Sequence, residues 1–269
     1  MLTIDWKERL TLDTDDYLQH KLPKQDYDFE IIFIAYPERV NGKIPSDVIT
    51  FVAGVIAQRM GKKHADFMPF YRHLWTKKGD YGKQAFATFL SKLTPKKPEI
   101  YLGLMEEVMS KADPHDINSL LDKVMLPLLR KHPEKYLSRV FAWTKGTNPE
   151  LQKQALNLLI KLIKRREDLA KEVLSHIQHA WAYPLGDVQS LHVQLLKTIA
   201  RLNPELYLNV WHEYGIYREP QIVELLCASV QDYLPQLEEI LLPWTKSGNA
   251  RVKKASNAAY KLLMKKKGA

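Results

Sequence analysis

Nine cations are spaced so that they could follow a phosphate backbone: Lys153, Lys161, Lys164, Arg165, Lys197, Arg201, Arg251, Lys253 and Lys254. At the angular step of an α-helix, Lys153, Asn157, Lys161 and Lys164 fall within ~80° of one another. Lys197 and Arg201 form an i, i+4 pair, and Arg251, Lys253 and Lys254 crowd one further segment. Such groups neutralise phosphates and displace counterions, so contacts of this kind position a nucleic acid rather than read its sequence. The plainer reading is a solvated face whose lysines near helix C-termini complement the macrodipole.

Other reactive residues lack the spacing that chemistry needs. His176 and His179 are three apart, but no cysteine or acid stands at ligand spacing, so they read as a surface pair and not a metal site. His212-Glu213 is followed by Ile216 where a zinc-protease helix needs a second histidine. Asp113-Pro114-His115-Asp116 joins acid and imidazole, and an aspartate before proline is best read as a helix cap. The chain has no phosphate-cradling glycine loop, no dinucleotide fingerprint and no Gly-x-Ser-x-Gly elbow. No catalytic residue, metal or cofactor is expected.

Net charge is +9, and its distribution matters more than its total. Residues 251–267 hold seven bases and no acid, and residues 75–97 hold six lysines against Asp80. Residues 1–30 and 216–244 are each net −4. Segregation of this kind suits a polyanionic partner. One cysteine, Cys227, allows no internal disulfide and fits a reducing compartment. The first residues show no signal-peptide pattern, and the longest nearly uncharged apolar run, 48–57, is too short to span a bilayer. A cytoplasmic monomer with no membrane contact is expected.

These residues must be positioned by repeats. Trp143-Thr144-Lys145-Gly146-Thr147-Asn148 recurs as Trp244-Thr245-Lys246-Ser247-Gly248-Asn249, 101 residues later, and Trp75-Thr76-Lys77 precedes it by 68 residues. Both separations are near multiples of 34, and Met109 stands 34 from Trp75 and from Trp143. Trp181 and Trp211 divide the remaining gap into steps of 38, 30 and 33, and Tyr36 marks a degenerate first copy. Each landmark ends one helix, and a polar turn leads to a second. In the clearest copy Pro133 to Trp143 is the first helix, Asn148 the N-cap and Pro149 the opening of the second. Leu151, Ala155, Leu158, Leu159, Leu162 and Ile163 form its buried stripe. The landmark tryptophans themselves read as packing residues. One hairpin cannot bury such a stripe alone, so neighbours must stack.

The expected fold is therefore all-α, an α-α superhelix of stacked helical hairpins. Residues 1–26 are expected to form an N-terminal cap, with Trp6 against Leu10. Residues 27–264 are expected to form the repeats, and 265–269 a frayed basic tail. Residues 27–37 alternate partly but read as a buried helix in this context. Asn41-Gly42 marks a turn, Ser46-Asp47 a helix start, and Lys62 to Trp75 a single helix. Gly79 to Gly82 reads as a loop, and 95–98 as a stiff connector. Second helices are expected to line one side of the stack.

Two helices per unit, without tetratricopeptide or ankyrin signatures, resemble HEAT-like repeats over about residues 27–267. A narrower resemblance is to the HEAT-like DNA-alkylation-repair glycosylases of the AlkD type. It is carried by Asp116-Ile117-Asn118-Ser119-Leu120-Leu121, by the helix starts after Trp143 and Trp244, and by Leu195-Leu196-Lys197 leading to Asn203-Pro204-Glu205. That family excises cationic alkylated bases with a carboxylate and cleft tryptophans. Here the cleft tryptophans fall at His115 and Gln194 and the catalytic aspartate at Ser119, whose hydroxyl supplies no negative charge. The resemblance implies the fold and a tendency toward DNA, with no catalytic residue carried over. Three functions follow as expectations: nucleic-acid binding, foremost duplex DNA, on the basic face; a scaffold for a protein partner; and a glycosylase whose carboxylate is displaced to Asp116 or Asp113.

Overall fold

The computed structural model describes residues 40–268 continuously, with residues 7, 8, 11, 12, 14, 15 and 19 before them. The expected Trp6–Leu10 pair, the helix over 27–37 and the Tyr36 landmark lie outside the described residues. The helices are α1 (Ser46–Arg59), α2 (Met68–Lys77), α3 (Gly79–Leu93), α4 (Pro98–Met109), α5 (Pro114–Leu120), α6 (Leu126–Lys131), α7 (Pro133–Thr144), α8 (Pro149–Ile163), α9 (Ala170–Ile177), α10 (Gln189–Leu202), α11 (Pro204–Tyr214), α12 (Pro220–Ser229), α13 (Pro235–Thr245) and α14 (Ala250–Lys267). A π turn, Leu121–Met125, joins α5 to α6. No strand occurs among the described residues; the single bridge, Val40 to Lys43, closes the turn at Asn41 and Gly42. The fold is all-α, and its hairpins stack on their neighbours. The chain divides into two compact units, Met1–Leu128 and Leu129–Ala269.

In the first unit α3 is central: α1, α2, α4 and the π turn all pack on it. Tyr71, Phe70, Phe89 and Tyr101 make an aromatic cluster, with ring centroids of neighbouring pairs 5.4–5.9 Å apart. Three local expectations change here. Ser46 lies inside the first turn of α1 and Pro45 occupies the cap position, so no side chain caps that end. The helix expected over 62–75 is a 3-10 turn, Gly61–Phe67, followed by α2. Pro69 has no N–H to donate backward, so a continuous ladder cannot run through it, whereas a first helical turn accepts it. Gly79 to Gly82 is no loop: Gly79 takes φ +56 and α3 starts there. Gly82 is then required by close approach, since a Cβ would stand 2.1 Å from the Leu74 carbonyl oxygen of α2.

In the second unit α8, α10, α12 and α14 lie side by side in that order. α7 pairs with α8, α11 with α10, and α13 with both α11 and α14. The second helices thus form one row, as the repeat implies. Asn148 caps α8, its Oδ1 accepting the N–H groups of Glu150 and Leu151 at 3.0 and 3.1 Å. Asn249 repeats this for α14 with Arg251 and Val252, and Asn203 caps α11 through Leu206. The stripe of α8 is buried except for half-buried Leu151. Trp143, Trp181, Trp211 and Trp244 are buried, as packing residues should be, while Trp75 in the first unit is only half-buried. The tail does not fray at 265: α14 runs to Lys267, whose ammonium meets Glu238 at 3.0 Å.

A contact that titrates in the acid range lies in the core of the second unit. Trp181 Nε1 donates to Nδ1 of His192 at 3.0 Å, and burial pushes the imidazole down to about 4. As pH falls, the unfolded chain takes up this proton first. Stability from this group is intact above pH 6.5 and falls by about 3 kcal/mol as pH drops to 4. Denaturant melts at several pH values should show His192→Gln, which keeps an acceptor, losing less stability over that window than the parent chain; parallel curves would reject the assignment. Asn148→Ala should cost about 1 kcal/mol in the same melts at neutral pH.

Candidate nucleic-acid interface

The row of second helices buries one face and opens the other. α8 turns in Ala155, Leu158, Leu159 and Leu162, and α14 turns in Val252, Ser256, Ala259 and Leu263. The cations therefore fall outward or at the edges. Lys153 and Lys161 are half-buried on α8, and Lys164 and Arg165 are exposed at its C-terminal end. Lys197 is half-buried and Arg201 exposed on α10. Arg251, Lys253 and Lys254 are exposed in the first two turns of α14. All nine belong to the second unit.

Lys153 and Arg251 are held by acids, and Lys161 is also engaged. Lys153 Nζ lies 3.1 Å from Glu150 and 3.7 Å from Asp187, and the hydrogen bond to Glu150 raises its pKa. Arg251 forms a two-pronged pair with Glu224 of α12, at 2.9 and 2.7 Å. Lys164, Arg165, Lys197, Arg201, Lys253 and Lys254 have no ion-pair partner among the described residues. The basic stripe is also interrupted. α12 contains no lysine or arginine, and it presents Glu224 between the cations of α10 and those of α14.

Electrostatics along the helices separates the two readings of these charges. Lys161, Lys164 and Arg201 sit near C-terminal ends, where a cation complements the macrodipole. Arg251, Lys253 and Lys254 sit at the opposite pole. The first turn of α14 has no acid, and although Asn249 caps the Arg251 and Val252 N–H groups, the aligned peptide dipoles leave that end positive. Cations there oppose the dipole, and Glu224 offsets only one of them.

The first unit holds a separate cavity of about 220 Å³, lined in part by Trp75, Lys83, His115, Asp116 and Ser119. Lys83 forms an ion pair with Asp116, and its ammonium lies 5.6 Å from the Trp75 ring centroid. The hydrogen bond to Asp116 raises the Lys83 pKa. The Asp116 carboxylate is thus engaged by a cation. Asp113 is the cap expected from the sequence: its Oδ1 accepts the Asp116 N–H at 2.9 Å, and this bond holds its carboxyl below the usual range. Ligand atoms of Asp113, His115 and Asp116 lie within 4.8 Å of one another. Two of the three already serve as cap and ion-pair partner, and His115 is 92% exposed. Ser119 faces the same cavity, whereas Gln194 lies in the second unit, beside Lys197 on α10.

His176 departs from the expected surface pair. It is half-buried, stacked on Phe141 with centroids 3.8 Å apart and planes 9° from parallel, while His179 is exposed. His192 carried no signal in the sequence, because its partner Trp181 lies across an irregular turn. Among the described residues no helix is long and apolar enough to cross a membrane.

If Asp113 acts as a cap, Asp113→Ala should lower the thermal midpoint and Asp113→Asn, an equally good cap, should largely preserve it. Equal losses in scanning calorimetry would point to a role for the charge itself. No family model, curated protein or solved structure matches this chain.

Proposed function

We propose that the second unit binds nucleic acid, duplex DNA foremost, through the phosphate backbone. The observation that carries this reading is the cluster at the start of α14. Arg251, Lys253 and Lys254 stand where they repel the helix dipole, with no acid in that turn. Solvation of a surface needs no such placement, and complementing the macrodipole would put these cations at the other end. A phosphate at this end meets both the side chains and the positive pole of the helix. Lys197 and Arg201 on α10 and Lys164 and Arg165 at the end of α8 extend the contact across the row, with Lys161 behind them. Lys153 and Arg251 contribute less, because Glu150, Asp187 and Glu224 already neutralise them. Backbone contacts of this kind give sequence-independent binding. No step of catalysis is assigned to Asp116, whose carboxylate is committed to Lys83.

A fluorescent duplex titrated between ~50 and ~200 mM salt tests this. The log–log slope should be about −0.9 per phosphate neutralised. Reversing Lys253 and Lys254 together to glutamate should weaken binding by at least ~10-fold and flatten the slope by about two, whereas Lys153→Gln should change little. Absence of binding at the lowest salt would sink the reading. A slope indifferent to the double reversal would remove α14 from the interface.

A further inference from the structure

The turn between α11 and α12 carries an apolar tip that the packing of the second unit does not use. Ile216 is 76% exposed and Tyr217 40%. Single exposed apolar side chains are ordinary, but this pair is held in place. Arg218 Nη1 donates to the carbonyl oxygens of Gly215, Ile216 and Tyr217 at 3.2, 3.0 and 2.8 Å. The Tyr217 N–H donates to the Tyr214 carbonyl at 3.1 Å. The Tyr217 ring lies against Tyr214 with centroids 5.3 Å apart, and Tyr214 lies against the buried Trp181 at 5.2 Å. A chain of three rings thus runs from the core to solvent. Its order is set in advance, which spares a partner the cost of fixing the tip.

The tip stands on the edge where the row of second helices begins. Lys153, in the second turn of α8, meets Asp187 just before α10, and Arg251, in the first turn of α14, meets Glu224 in the second turn of α12. The 3-10 turn Gln178–Ala182 also packs on α12. The turn carrying Tyr217 therefore lies between the start of α10 and that of α14, where Arg251, Lys253 and Lys254 crowd together. Tyr183, 70% exposed, stands in the turn before α10, so two neighbouring turns each show a ring. Arg218 is the only base among residues 216–244, and its guanidinium has no ion-pair partner among the described residues. The adjacent Glu219 turns Oε2 to the Arg218 backbone N–H, at 3.1 Å.

A ring beside a free cation fits a flat base joined to a phosphate. Backbone contacts reach every nucleotide of a duplex, but there each base face is covered by the next base. Only an unpaired base has a face left for a tyrosine. We infer that Tyr217 and Tyr183 stack unpaired bases, with Arg218 on the adjoining phosphate, so that the nucleic acid held by the second unit is a duplex whose single-stranded extension passes over this edge. The inference rests on the nucleic-acid reading of the second unit and specifies its partner.

Fluorescence anisotropy with the full chain tests this. The probes are a blunt duplex, the same duplex with a single-stranded tail, and the same tail built of abasic nucleotides. The tailed duplex should bind ~5- to 20-fold more tightly than the blunt one, and the abasic tail should lose most of that gain. Tyr217→Leu together with Tyr183→Leu keeps apolar bulk at two exposed positions, removes both rings and should abolish the gain. Tyr217→Phe, which keeps the ring, should retain it. Equal affinity for blunt and tailed duplexes overturns the inference, as does an abasic tail as good as the normal one, or indifference to the loss of both rings. If the blunt duplex then still binds with a steep salt slope that reversal of Lys253 and Lys254 flattens, the stacking site falls and the backbone reading stands. If tail-dependent binding responds to the tyrosines and ignores that reversal, the backbone reading falls and the stacking site stands. No binding of any probe overturns both and leaves the tip to a protein partner.

Discussion

A two-helix hairpin of this length has more apolar surface than it can cover by itself, and both units are solutions to that deficit. The stripe of α8 finds cover only because α7 packs along it and α10 lies beside it. Burying each large aliphatic side chain contributes about 1.5–3 kcal/mol, enough in sum to offset the ordering of the chain. The tryptophans at the ends of first helices serve the same end. Trp211 and Trp244, in successive first helices, pack with centroids 5.8 Å apart, so one landmark covers the next. The row of second helices, and with it the set of exposed cations, is a by-product of that packing.

Much of this was legible in the sequence because its causes are local. A cap needs an asparagine before a first turn, and Asn148 with Pro149 declares one. A buried stripe needs helical spacing, and 155–163 supplies it. What failed was non-local or depended on a single backbone detail. Gly79 and Gly82 look like a flexible loop, yet they let α2 and α3 meet with almost no intervening chain. Pro69 is one residue in a run that otherwise reads as helix. The Lys153–Asp187 and Arg251–Glu224 pairs join residues 34 and 27 apart, and a count of charges along the chain cannot see them. The gap in the basic row has the same non-local cause: only the fold sets α12, with Glu224 and no base, between α10 and α14.

Charge and shape therefore carry different weights in the two units. In the first, cations and acids are folded into one another: Lys83 lies over Trp75 and against Asp116, and Arg72 meets Glu107 at 2.7 Å. In the second, Lys164, Arg165, Lys197, Arg201, Lys253 and Lys254 retain no acidic partner among the described residues, and three basic residues crowd the positive pole of α14. Exposed pairs such as Arg72 with Glu107 add little to stability. Their main effect is to cancel field at the surface, and the second unit leaves its field less cancelled.

The Trp181–His192 bond gives the repeat pattern an unexpected reach. Trp181 is one beat of that periodicity, placed to fill a seam, yet its single proton dictates which nitrogen of a neighbouring ring keeps hydrogen. Replacing the indole with an equally large hydrocarbon would preserve volume and release the imidazole to its other tautomer, turning a fixed donor into an ambivalent group. The grammar that builds the scaffold and the tautomer of a buried imidazole are thus written in one residue. Drift at that position cannot be neutral for one without altering the other.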